Sequence, residues 1–146
     1  MQFYSTNRKT SPVSLREAVV RGLATDRGLF MPEVIRRFPP AFYQNMKEMT
    51  LREISFVVAE AFFGENVEAG KLKEIVDETL NFDIPLVQVA DNRYSLELFH
   101  GPTLAFKDVG ARFMARLLAY FNKQEGERQV NVLVATSGDT GSAVAN

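Results

Sequence analysis

Along the first half of the chain apolar residues recur every three to four positions, the spacing of helices with one buried face. Leu15, Ala18, Val19 and Leu23 share such a face. The preceding Ser14-Leu15-Arg16-Glu17 has the form of a capping box, in which Ser14 accepts from the N3 amide and Glu17 reaches back. Gly22 and Thr25-Asp26-Arg27-Gly28 predict the stop and a turn. Thr50-Leu51-Arg52-Glu53 repeats the box ahead of Ile54, Val57, Val58, Ala61 and Phe62, with Gly64 expected at C′. Phe56, Phe62 and Phe63 lie at helical spacing and are assigned to the core. Between these helices Pro32 and Pro39-Pro40 break the chain, and a short helical turn is expected after Pro40. A third stripe, Leu72, Ile75, Val76 and Leu80, closes before Asp83-Ile84-Pro85.

Beyond Pro85 the period changes from helical to alternating. Leu86-Val87-Gln88-Val89 and Arg93 to Phe99 flank Asp91-Asn92 and predict a hairpin. A loop from His100 to Lys107 leads to Asp108, expected as the N-cap of a helix carrying Phe113, Met114, Leu117, Leu118 and Phe121. Lys123 to Gln129 is polar, contains Gly126 and is expected to turn the chain. Val130 to Thr136 is apolar and β-branched, as in a strand covered on both faces. Ser137-Gly138-Asp139-Thr140-Gly141 follows, and Ser142-Ala143-Val144-Ala145 resembles the first turn of a further helix. The shift near residue 83 is the candidate domain boundary, dividing 1–83 from 84–146. The fold class expected is α/β: an N-terminal helical or α+β cap, then the start of a larger α/β domain.

Composition narrows the function classes. The chain has 146 residues, 46% hydrophobic and 24% charged, enough for a real core. Seventeen basic against 18 acidic residues leave a formal charge of −1, which disfavours a nucleic-acid-binding face. With no Cys and one His, thiolate metal sites and histidine-rich centres are excluded, and no metal is expected. The apolar runs are too short to span a membrane, and the N-terminus lacks the pattern of a signal peptide. A cytoplasmic protein without a membrane partner is therefore expected.

Two segments carry candidate chemistry. A helix over 109–122 rises ~20 Å, and a returning strand of about seven residues spans ~23 Å. The Ser137–Gly141 turn is therefore expected near Lys107, outside the carboxyl end of a strand, where α/β proteins bind ligands. Lys107 lies between Phe106 and a helix start, where desolvation by the ring frees an amine for Schiff-base chemistry. A plain surface lysine is the alternative. The turn offers converging backbone amides and the hydroxyls of Ser137 and Thr140 to an anion, although Asp139 would repel one. An ordinary strand-to-helix turn is equally compatible with it. His100 is a weaker candidate, as a general acid or a phosphate contact.

Taken together these segments resemble known ones. Thr103-Leu104-Ala105-Phe106-Lys107-Asp108-Val109-Gly110-Ala111 resembles the cofactor-lysine segment of fold-type II pyridoxal-phosphate enzymes, the tryptophan synthase β-like family. Ser137-Gly138-Asp139-Thr140-Gly141 is similar to that family's substrate-carboxylate loop, often written with Asn at the position of Asp139. Tyr4-Ser5-Thr6, Glu17-Ala18, Gly22 to Glu33 and Leu96 to Thr103 narrow the resemblance to the threonine synthase branch.

The resemblance implies a three-layer pyridoxal-phosphate domain that is incomplete within this chain. It also implies conversion of O-phospho-L-homoserine and water to L-threonine and phosphate. Lys107 would hold pyridoxal phosphate and shuttle protons, with Phe106 and Asp139 beside the cofactor. Ser137, Gly138, Thr140 and Gly141 would grip the substrate carboxylate, with Thr103 and His100 weaker candidates for its phosphate. The family's later cofactor-phosphate loop is absent from these residues, so the chain by itself is expected to bind the cofactor poorly, to be inactive and to self-associate. Alternatives are a threonine-synthase-like phospholyase, a serine/threonine dehydratase, and a non-catalytic anion-binding module.

Overall fold

The computed structural model describes residues 1–124, 126 and 129–146. It divides into two compact units, Met1–Asp77 and Glu78–Asn146.

In the first unit β1 (Gln2–Ser5) is the central strand of an antiparallel sheet, between β2 (Val13–Ser14) and β3 (Phe30–Pro32). Phe3 stands opposite Val13 on one side and Pro32 on the other. Phe3 and Ser5 point inward at the strand period of two, and both are buried. The buried Ser5 hydroxyl donates to Asp26 Oδ1 at 2.6 Å, and the Asp26 carboxylate also accepts from the amides of Lys9 and Gly28 at 3.0 Å each. Gly28 is required here, because a Cβ would lie 2.0 Å from Ser5 Oγ. The predicted Thr25–Gly28 turn is thereby locked onto β1.

Helix α1 (Leu15–Arg21) starts at Ser14, whose side chain accepts from the Glu17 amide, while the Glu17 carboxylate pairs with Arg21 at 3.1 Å. Gly22, at φ 72°, ends it, so Leu23 falls outside the helix and is exposed rather than on the expected apolar face. Helix α2 (Pro40–Asn45) begins at the second proline and runs into a 3-10 turn, Met46–Glu48. Helix α3 (Leu51–Phe63) has the full reciprocal box, with Thr50 accepting from the Glu53 amide and Glu53 accepting from the Thr50 amide. Its buried residue is Ala59, while Phe56, Phe62 and Phe63 are half-buried. Gly64 caps the helix in the right-handed region, at φ −62°. In α4 (Ala69–Thr79) the expected Leu72, Ile75 and Val76 are buried, as is Leu80 just beyond it.

In the second unit β4 (Leu86–Ala90) and β5 (Arg93–Leu96) form the predicted hairpin, with Leu86 opposite Leu96 and a bulge between Gln88 and Ala90. Asn92 takes the left-handed conformation of the tight turn, φ 56°. Helix α5 (Asp108–Gln124) buries Leu117 and Phe121 and is tied by arginines to residues 78–81. Arg112 donates to Asn81 Oδ1 and Glu78 O at 2.8 and 2.9 Å, and Arg116 Nε to Glu78 Oε2 at 2.8 Å. Helix α6 (Asp139–Ala145) begins three residues earlier than expected.

One expectation fails. Residues 130–136 form no strand, and Val130, Val132, Leu133 and Val134 are exposed, Leu133 to 94%. A strand exists only through hydrogen bonds to a neighbour, and among the described residues no strand pairs with this segment. Residues 125, 127 and 128 of the expected Lys123–Gln129 turn lie outside the described residues; Gly126 has φ 88°. The fold is mixed helix and sheet.

Candidate active site

The Ala111 amide donates to Lys107 O at 2.9 Å, closing the first turn of α5. The capping position therefore belongs to Lys107, one residue before the Asp108 expected from sequence. Asp108 instead turns its carboxylate back to Thr103, accepting from the amide at 2.9 Å and from the hydroxyl at 2.5 Å. The Lys107 backbone is thus set at the entry to a seventeen-residue helix.

From there Lys107 Nζ donates to Asp139 Oδ2 at 2.5 Å, and it sits 4.6 Å from the centroid of the Phe106 ring. The ring, itself exposed, presents a face that attracts a cation. That differs from the desolvation expected of it. The Lys107 and Asp139 side chains are 36% and 48% exposed, so the pair lies at a surface open to ligands.

Asp139 opens α6, and the bend before it depends on glycine. Gly138 has φ 128°, where side chains are strained, and its carbonyl accepts from both the amide and the hydroxyl of Ser142 at 2.8 Å. The Gly138 amide donates to Thr136 Oγ1 at 3.3 Å. A Cβ at Gly141 would come within 2.6 Å of Thr136 Cγ2. Ser137 and Gly138 are exposed and Thr140 and Gly141 half-buried.

The structure therefore brings Lys107, Phe106 and Asp139 into contact and places Ser137, Gly138, Thr140 and Gly141 on the bend that carries Asp139. His100 is engaged elsewhere: its Nε2 is 2.7 Å from Glu97 Oε2, and its ring lies 4.8 Å from that of Phe99. Thr103 spends its amide and hydroxyl on Asp108. Sequence reasoning missed Asp108 as an organiser of the lysine loop. The available signal was a Thr five residues ahead of an Asp at a helix start. Among the described residues no cluster of three or more His, Cys, Asp or Glu could hold a metal, and no helix is long and apolar enough to cross a membrane.

Fold and site together define a mixed α/β protein with a lysine at one helix start paired to an aspartate at the next. A family model described as "Threonine synthase N terminus" matches residues 2–80. The chain is 41% identical over 146 residues to threonine synthase of Serratia marcescens, covering 100% of this chain and 33% of that protein. A crystal structure of threonine synthase from Escherichia coli superposes with a TM-score of 0.90 at 39% identity, over 99% of this chain and 33% of that one. A structure of pyridoxal-phosphate-bound threonine synthase from Brucella melitensis matches with a TM-score of 0.88 at 35% identity, over 99% and 32%. The chain belongs to the threonine synthase N-terminus family, and it spans about a third of the length of these relatives.

Proposed function

We propose that this chain supplies the lysine half of a pyridoxal-phosphate site that converts O-phospho-L-homoserine and water to L-threonine and phosphate in the cytoplasm. The observation that carries the reading is the Lys107–Asp139 pair, 2.5 Å apart across 32 residues. Resemblance singles out both partners independently of that contact.

The residues fit the cofactor. Lys107 offers a primary amine at an open surface, and a Cβ at Gly138 would meet no atom within 4 Å, so the bend is open to a ligand. When bound, pyridoxal phosphate supplies an electron sink for reaction at the substrate's Cα and Cβ. Lys107 holds the cofactor and then takes and returns protons at those carbons. Asp139 and Phe106 lie beside the cofactor, and in its absence they hold the amine, one by charge and one by its ring face. Ser137, Gly138, Thr140 and Gly141 hold the substrate carboxylate through hydroxyls and backbone amides. The domain reading, an N-terminal domain over 1–83 and the beginning of a cofactor domain over 84–146, belongs to the same proposal.

The test is a chimera in which this chain replaces the matching third of Escherichia coli threonine synthase. Threonine and phosphate are expected to form in equal amounts from O-phospho-L-homoserine, with loss of both in Lys107→Ala. A folded chimera that forms neither product, or one in which Lys107→Ala keeps full activity, would sink the reading.

A further inference from the structure

Asp108 is fully buried, which a carboxylate tolerates only with compensation. Thr103 gives it two hydrogen bonds, at 2.9 and 2.5 Å. As the first residue of α5 it also sits at the positive end of the helix dipole, and Arg112 one turn on is close enough to interact electrostatically. The loop is wrapped tightly around this anion. A Cβ at Gly101 would lie 2.5 Å from Asp108 Oδ2 and 3.0 Å from the Phe82 ring, so the backbone passes directly over the carboxylate.

The same loop carries strain that packing does not explain. Leu104 is left-handed at φ 58° although its side chain is 75% exposed. Such a conformation persists only where surrounding structure imposes it. The bonds that impose it are Leu104 N–H to Gly101 O at 3.1 Å, Asp108 N–H to Ala105 O at 3.0 Å, and the two from Thr103 to Asp108. None of these four involves Lys107, yet together they fix the backbone from which its side chain departs.

We propose that Asp108 is a positioning residue for Lys107: by gripping Thr103 it holds the 101–107 loop in the one conformation that delivers the amine to Asp139. This rests on the reading of Lys107 as the cofactor-holding amine, and it adds the device that aims it. It also explains why a carboxylate is used. Both carboxylate oxygens accept from Thr103, and the negative charge suits the start of α5, which a neutral amide would not supply.

The experiment uses the chimera with Escherichia coli threonine synthase, treats it with millimolar pyridoxal phosphate, reduces with borohydride, and divides the label on Lys107 by that on Lys47, whose side chain is 79% exposed. The ratio is expected to stand well above one, to fall about tenfold in Asp108→Ala and Thr103→Val, and to return in Thr103→Ser, which keeps the hydroxyl. Amide exchange at Leu104 and Asp108 is expected to rise in Thr103→Val while Leu117 within α5 is unchanged. If Asp108→Ala does not fold, the contrast between Thr103→Val and Thr103→Ser decides. A high ratio retained in Thr103→Val overturns the positioning role and leaves the cofactor reading intact. A ratio near one in the unsubstituted chimera overturns the cofactor reading and the positioning role with it.

Discussion

Two aspartates, Asp26 and Asp108, organise loops by accepting hydrogen bonds from residues remote from any helix ladder. For Asp26 the electrostatic consequence is measurable. The Ser5 hydroxyl, followed by the Gly28 and Lys9 amides, holds its carboxyl below the ordinary 3.8 despite opposing desolvation. A depressed folded-state value means this stabilisation is present above the ordinary value and is lost as pH falls through the lower one. Stability of the unsubstituted chain is therefore expected to fall below about pH 4, and Asp26→Asn to flatten part of that fall. Denaturant titrations at several acid pH values check this, and parallel curves for the two proteins would refute it. The Asp26 turn was legible as a turn, because Thr-Asp-Arg-Gly is turn chemistry. Its Ser5 partner was not, since 21 residues separate them and only the sheet brings them together.

Among the elements, helix starts were the most legible feature, because a capping box is local. At α3 both halves of the box form, and the Thr50 amide and hydroxyl hold the Glu53 carboxyl below its usual range. Thr50→Ala is expected to lower stability by about 1 kcal/mol, read from the denaturation midpoint at unchanged slope. An unchanged midpoint would mean that the box contributes nothing net. The 130–136 segment shows the opposite limit. Its residues have the composition of a buried strand, but ladder bonds depend on a neighbouring strand that composition does not supply. The Asp108 cap was misplaced by one residue for a similar reason: an Asp at a helix start reads as an N-cap until the loop before it claims the carboxylate.

At the scale of the whole molecule the second unit exposes much apolar surface. On the hairpin Leu86 is 65%, Val89 64%, Tyr94 56% and Leu96 55% exposed. Exposed apolar surface of this kind drives association, so the chain is expected to self-associate at rising concentration. Leu86 and Leu96 face each other across the hairpin, and replacing both with Lys is expected to shift sedimentation toward the monomer. A chain that sediments as a monomer at every concentration would refute the expectation.

The sequence by itself determined the helices of the first unit, the hairpin, and the two segments that carry the candidate chemistry, because periodicity, capping and turn residues act over a few positions. Only the tertiary structure decided that Lys107 meets Asp139, that Asp108 faces inward to Thr103, and that 130–136 stands without a ladder. Each of these is a contact, or the lack of one, between residues whose separation is set by the packing of whole elements and by no local preference.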